Sequence, residues 1–356
     1  MPEPNIIVYH WNIQNFGYAK TVVSKDICKA VAENLYSKSL DTTSDIYVGF
    51  LLEVKVNIFA TDILRYDLST QLSDTFPLRT FEVGFINCGG GAHNAENIVF
   101  FHSVPGHDKI VTSDLLSYKD EISKYIEKDK IDAIKALNKH NEVCLSKNLR
   151  KRHCLTNYNV SNSGNRNVHF VDSKSNEPSG PVFSHEKRYS SGLNAPEWYR
   201  DGVMITIESA LNPFFNDGND FKSISIGSIH MPGPDHMSKD PNIFKALMEA
   251  ANKRNLSCLT GDFNVHSVME EEKSYLDHTN FPGGTTQKKD DSGAFSNTKY
   301  DRSFSTKEIL KTYTTDVSLH SAFVAGSKVS DHGGLTTSYT YHSDVPVVHN
   351  MHLLLE

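Results

Sequence analysis

The chain has 356 residues, 38% hydrophobic and 22% charged, with a net charge of −7. That is apolar material for one large domain or two small ones, and it excludes a protein that coats nucleic acid through a global basic field. No apolar run reaches the ~20 residues of a membrane span, "MPEPNIIVYHWNIQ" lacks the regions of a cleaved signal, and five scattered cysteines (Cys28, Cys88, Cys144, Cys154, Cys258) make no disulfide framework. The expectation is a cytoplasmic protein, or one exported without a cleaved signal.

In chain order, "NIIVYHWNI" (5–13) has the β-branched and aromatic content of a strand. In 24–39, Ile27, Val31 and Leu35 recur every four residues after a capping Ser24, a helix pattern. "DIYVGFLLEV" (45–54) reads as a buried strand ending on an acid, and 80–87 and 96–102 as two more, with a glycine turn at Gly89 to Gly91 between them. From about 105 to 195 the texture changes: a charged helical stretch (114–140) is followed by a polar segment (146–170), read as an insertion or lid. Strands resume at 201–209, 222–232, 255–263, 298–304 and 334–342, with a helix at 240–255 capped by Asp240 and opened by Pro241. Many strands with dispersed helices indicate an α+β fold, sheets packed on each other with helices outside. There is no internal repeat.

Several strands end on residues of one chemical kind: Asn12 after "VYHW", Glu53 after "GFLL", His230 after "ISIGSI", Asp262 and Asn264 after "LSCLTG", Asp301 in "KYDRSF", and Asp331 with His332 in "SDHGGL". Any one of these is ordinarily a solvated turn residue or a cap; together they match the needs of metal-assisted phosphoester hydrolysis. A hard divalent cation takes oxygen ligands, which Asn12 and Glu53 supply, and it polarises a phosphoryl oxygen. Histidines suit the removal of a proton from water and the stabilisation of the leaving oxygen, and each benefits from a carboxylate that fixes its tautomer.

These segments resemble the endonuclease/exonuclease/phosphatase superfamily, most closely its deoxyribonuclease I-like branch. The match runs in the family's order through "HWNIQNFG", "LLEVK", "NAENIVFFH", "WYRDGVMITI", "SIHMPGP", "GDFNV", "KYDRSF" and "SDHGGL", and covers the chain except about 105–195. The resemblance implies a single domain over 1–356 with 105–195 as a family-atypical insertion, folded as a four-layered α/β sandwich of two packed mixed sheets. It implies Glu53 as main metal ligand with Asn12 beside it and Asp331 as a further metal-side acid. Asp262 would orient the water and Asn264 contact the phosphate. His230 and His332 would form the acid/base pair, with Glu96 the partner of His230 and Asp301 that of His332, and Arg200 would clamp phosphate. The implied cofactor is Mg2+, with Mn2+ or Ca2+ as alternatives.

The family often has a proline soon after the last Asp-His; here "DHGGL" reshapes that loop and leaves Asp331 and His332 in place. The insertion reads as a lid over the substrate groove or as a surface for a partner or inhibitor protein. Its basic run "SKNLRKRH" (146–153) is either a phosphate-backbone contact or a solvated face. His140, Cys144, His153 and Cys154 fit no standard zinc spacing, and Tyr158 and Tyr189 are equal candidates for a phosphate-contacting phenol.

The leading expectation is a divalent-metal endonuclease acting on DNA, with RNA as alternative. A second keeps the fold and changes the substrate to phosphoinositides or sphingomyelin; those branches usually carry a Trp before the GDFN-type motif, where this chain has "CLTGDFN". A third, a non-catalytic binding module, predicts broken metal or His positions, and none is broken. A housekeeping role and a toxin or effector role both stay open.

Overall fold

The computed structural model of the chain describes residues 4–39, 43–89, 95–105, 109–125, 128, 155–160, 168–172, 199–209, 223–238, 240–265, 275–279, 284–286, 295–296, 298–324 and 326–341. β1 (Ile6–Phe16) and β2 (Ile46–Lys55) run parallel at the centre of a first sheet, with Val8 opposite Val48. β4 (Glu96–Ser103) and β3 (Glu82–Asn87) extend one side antiparallel, β16 (Gly334–Tyr341) and β13 (Tyr313–His320) the other, giving the order β13-β16-β1-β2-β4-β3. The second sheet repeats the plan around the parallel pair β9 (Ser223–His230) and β10 (Cys258–Asp262). It is flanked by β8 (Gly202–Ser209) and β5 (Lys109–Leu116) on one side and by β12 (Asp301–Thr306) and β11 (Tyr275–Asp277) on the other. Two small ribbons stand apart from the sheets, β6 (Leu155–Val160) with β7 (Val168–Asp172), and β14 (Phe323–Val324) with β15 (Ser327–Lys328).

Side-chain alternation along the strands sorts the core into three layers. Ile6, Val8, Val48, Phe50 and Ile98 point inward against Val203, Ile205, Ile224, Ile226 and Cys258 of the other sheet. Their sequence neighbours Tyr9, Trp11, Leu51 and Phe101 point outward under α1 (Ser24–Tyr36) and α2 (Ile58–Thr75). On the far side Leu259 and Phe304 lie under a helix whose described part is 119–125, α3, and under α5 (Asn242–Lys253), with α4 (Pro234–Met237) a single turn before it. The result is the expected four-layered sandwich of two six-stranded mixed sheets flanked by helices.

Three details differ from the sequence reading. The stretch 109–116 is an edge strand of the second sheet, paired with β8 from Lys109↔Ser209 to Leu116↔Gly202, so sheet structure reaches into the 105–195 segment; exposed polar residues such as Asp114 hide its period of two. α2 carries a weak sequence signal, because exposed Ile58 and Phe59 blur the four-residue recurrence of Ala60, Leu64, Leu68 and Leu72. Ser24 is the first residue of α1 and makes no side-chain cap, whereas the Asp240 carboxylate accepts from the Asn242 N–H at 3.1 Å, as a cap residue does. Within 105–195, the run 146–153, His140, Cys144, Cys154 and Tyr189 lie outside the described residues, and Tyr158 falls in β6, whose side chains are not described.

Candidate active site

The four parallel-paired strands β1, β2, β9 and β10 deliver their C-terminal ends to one rim of the inter-sheet layer. The antiparallel β4, β8, β12 and β16 bring their N-terminal ends to the same rim. Period-two alternation then continues the inward face of β1 from Ile6 and Val8 to His10 and Asn12, that of β9 from Ile224 and Ile226 to Ser228 and His230, and that of β10 from Cys258 to Thr260 and Asp262. Register does the rest: Asp262 lies opposite both His230 and Asp301.

Glu53 breaks the alternation, since Leu52 already points inward. It reaches the rim through an irregularity: β2 loses register with β4 between Leu51 and Val54, β1 with β2 between Asn12 and Phe16, and Glu53 itself takes φ 59°. Of the described non-glycine residues with positive φ, Gln14, Asn15, Glu53 and Asn264 all border this site, and Asn255 terminates α5. Strained backbone is thus concentrated where the polar groups converge. The Asn15 N–H donates to Glu53 Oε2 and the Gln14 N–H to Asn12 Oδ1, both at 2.9 Å, so the strained turn orients two of the oxygen donors. Gly261, at φ 145°, lets β10 approach β9: a Cβ there would stand 2.0 Å from the Ile229 carbonyl oxygen.

Two acid–histidine pairs, each bridging the two sheets, face each other across Asp262. Glu96 Oε1 is 2.8 Å from His230 Nδ1, and Asp301 Oδ2 is 2.7 Å from His332 Nδ1. The opposite ring nitrogens converge: His230 Nε2 and His332 Nε2 lie 3.7 and 3.6 Å from Asp262 Oδ2. Glu53 Oε1 is 3.5 Å from His230 Nε2, and the Asn12 amide donates to Glu53 Oε1 at 3.0 Å and to Asp262 Oδ2 at 2.9 Å. Asn264 gives its N–H to Asp262 Oδ1 and its amide to the Met231 carbonyl. Asp331 sits at the mouth, 42% exposed, with Oδ1 3.7 Å from His332 Nε2. Arg200 lies against the first pair, its Nη1 2.9 Å from Glu96 Oε1 and 2.7 Å from His230 Nδ1. All the site residues expected from the sequence therefore meet at one rim. Arg200 is engaged with the Glu96–His230 pair, and Asp331 stands farther out than the rest.

Burial opposes charge on both imidazoles, but carboxylates outweigh it. Glu96 and Asp262 raise His230, and Asp301 and Asp262 raise His332 to about 10. Burial would also raise Glu53 and Asp301; His230, the Asn12 amide and the Asn15 N–H pull Glu53 down, while His332 and His10 hold Asp301 well below the usual carboxylate range. At Asp262 burial prevails over His332 and raises the carboxyl.

The donor set suits a hard cation. Ligand atoms of Glu53, His230 and Asp262 lie within 4.8 Å of one another, as do those of Asp262, Asp301 and His332. Glu53 and Asp262 offer the carboxylates; Asn12 lies between them as a hydrogen-bond donor to both, its Oδ1 taken by the Gln14 N–H.

Two contributors were missed in the sequence. Lys20 donates to the carbonyls of Ile13 and Val329 at 2.9 and 2.7 Å and to that of Gln14, tying the strained end of β1 to the turn before His332. Burial lowers its pKa, against the pull of Glu53 and Asp331; a lone lysine in a 3-10 turn carries no sequence signal. His10 is buried beside Asp301, and its signal was present: it precedes Asn12 by two in a strand, and so shares its face.

A four-layered sandwich with paired acid–histidine groups over an acidic centre at one rim is what the resemblance to the endonuclease/exonuclease/phosphatase superfamily implies. No family model and no curated sequence matches the chain. Solved structures that it resembles include endonuclease/exonuclease/phosphatase family proteins from Bacteroides thetaiotaomicron (11% identity over 96% of this chain and 97% of that one, TM-score 0.42) and from Leptotrichia buccalis (14%, 95% and 100%, 0.46). Another is the beta toxin from Staphylococcus aureus, solved with bound magnesium ions (12%, 95% and 99%, TM-score 0.42). At these identities and scores the likeness says nothing about chemistry. Among the described residues, no helix is long and apolar enough to cross a membrane.

Proposed function

We propose that this chain is a Mg2+-dependent phosphodiesterase that hydrolyses nucleic acid, DNA in the first place, by in-line attack of water. The observation that carries the reading is the convergence of two carboxylate-held imidazoles on Asp262, at 3.7 and 3.6 Å, beside Glu53. Glu53 and Asp262, with Asp331 at the mouth, would hold the ion, and Asn12, expected as a ligand beside Glu53, joins the two carboxylates through its amide N–H groups while its Oδ1 accepts from the Gln14 N–H. Bound there, a divalent cation supplies Lewis-acid polarisation of a phosphoryl oxygen and offsets developing negative charge. The chain's own groups do the remainder. Asp262 orients the attacking water, and Asn264 offers its second amide N–H to the phosphate. Glu96 and Asp301 fix the rings so that each Nε2 faces the reacting centre, where one imidazole takes the water's proton and the other protonates the leaving oxygen. Arg200 holds Glu96 through Nη1 and its Nε is buried, which leaves Nη2 as the group for phosphate. The partner-protein expectation for 105–195 finds no support among the described residues.

A lipid phosphodiester is the second reading, and one observation favours it. Tyr18, Val22, Val56, Ile58 and Phe59 are exposed next to the ends of β1 and β2, with the Tyr18 and Phe59 rings 5.7 Å apart. Incubation with supercoiled plasmid, RNA and sphingomyelin or phosphoinositide vesicles, with Mg2+ or with EDTA, separates the readings. Mg2+-dependent nicking that is lost in His230→Ala supports the nuclease; headgroup release without nicking supports the lipid enzyme; silence on every substrate rejects both.

A further inference from the structure

His10 takes no part in the reaction above, yet it is buried on the inward face of β1, 1% exposed. Its Nδ1 is hydrogen-bonded to the Thr260 hydroxyl, and its Nε2 lies 3.7 Å from Asp301 Oδ1. Among the described residues, neither His10 Nε2 nor Asp301 Oδ1 has a hydrogen-bond partner. Asp301 is fully buried, and its other oxygen receives His332 Nδ1 at 2.7 Å. The carboxylate is therefore flanked by two imidazoles, one from β1 and one from the turn before β16.

Proton bookkeeping decides what His10 does there. An ionised carboxylate only accepts hydrogen bonds, and a buried oxygen without a donor is costly. Among the described residues, the group facing Asp301 Oδ1 is His10 Nε2. A neutral ring that carries its proton on Nε2 accepts at Nδ1, and the Thr260 hydroxyl is the donor in place. The opposite arrangement sends the Thr260 proton to the Arg302 carbonyl, 3.1 Å away, and points a nitrogen lone pair at the carboxylate. The first pair offers a parallel: Glu96 also has a second nitrogen on it, from Arg200 at 2.9 Å. Each acid of the two pairs is thus approached by a group from outside the pair.

We propose that His10 is a positioning residue for the hydrolytic reaction. With its Nε2 proton turned toward Asp301 Oδ1 at 3.7 Å and Thr260 fixing its tautomer, it steadies the carboxylate that orients His332 and keeps the His332 proton on Nδ1. The inference rests on the reading of His332 as an acid/base group.

The test uses the full-length protein and two readouts. In metal-free wild-type protein, nitrogen-15 imidazole spectra are expected to show His10 protonated at Nε2 and a slowly exchanging His332 Nδ1 proton, which His10→Phe broadens or loses; a neutral His10 with its proton on Nδ1, or an unchanged His332 signal in His10→Phe, overturns the proposal. In plasmid nicking, His10→Phe lowers kcat about 10- to 100-fold with KM unchanged, His10→Gln, whose amide can still donate, recovers most of it, and His10→Phe costs nothing further in a His332→Ala background. A further loss in that background, or equal loss in Phe and Gln, contradicts it. If the wild-type protein cleaves no phosphodiester, the functional reading falls and the spectra alone decide the role of His10. If His10→Phe does not fold, the wild-type tautomer decides.

Discussion

At one end of the layer between the sheets, Ile6, Val8, Ile46, Val48, Ile224 and Ile226 interlock as apolar side chains. A few residues further along the same strands stand His10, Asn12, His230 and Asp262, buried to a similar degree. Strand geometry and alternation are shared; chemistry and backbone are not. The apolar end follows the regular ladder and removes hydrocarbon from water. The polar end gathers Glu53, Glu96, Asp262 and Asp301 with two imidazoles, and breaks the ladder with residues in the left-handed region. Burial of hydrocarbon stabilises one end and strained backbone gathers at the other, the pattern expected when a rim is shaped for chemistry.

The comparison can be broken from either side. Asp262→Asn should lower nicking by about 10²-fold or more. Because burial disfavours the Asp262 charge, the same variant should melt no lower than wild type in metal-free buffer at neutral pH. A drop in both would mean that the polar end also holds the fold together. Phe50→Ala, in the apolar half, should do the reverse: urea unfolding should show a loss of about 3–5 kcal/mol, with kcat of the folded protein unchanged. Gly261→Ala sits at the junction and should affect both, costing roughly 1–3 kcal/mol through the clash with Ile229 and the unfavourable φ, with weaker nicking as β10 shifts.

The smallest effect sharpens the role of the acids. His320 and His332 are both largely buried imidazoles, but His320 has the Thr336 hydroxyl at 2.7 Å and, among the described residues, no carboxylate on it. Burial, helped by Lys38, lowers it to about 4, whereas His332 is raised to about 10. The unfolded chain takes up a proton at His320 near pH 6.5 while the folded chain resists until about pH 4, so stability falls as pH drops through that window. His320→Gln should leave stability at pH 7.5 nearly unchanged and flatten the loss between those values in pH-dependent urea titrations. An unchanged acid limb would show that His320 is not buried neutral.

Much of this was legible because strands advertise themselves twice, by alternation and by where they stop. The apolar runs of β1, β2, β9 and β10 each end on a polar residue, and that coincidence marks the rim in the sequence. What could not be read was local backbone. Glu53 enters the site through lost register and φ 59°, which no side-chain pattern encodes. β5 hid behind its exposed polar residues, α2 behind its exposed Ile58 and Phe59. Lys20 acts through backbone carbonyls that are distant in sequence, and its neighbours in the chain give no hint of them.

The central claim, that the carboxylates and imidazoles of both sheets form one centre activating water against a phosphodiester, is tested most directly by isotope transfer. Plasmid is cleaved by the wild-type protein with Mg2+ in water enriched in oxygen-18, and the terminal phosphate of the nicked strand is weighed by mass spectrometry. The account predicts a single oxygen-18 per break, formed with Mg2+ and absent with EDTA. Breaks that carry no label, or that form equally with EDTA, would contradict it.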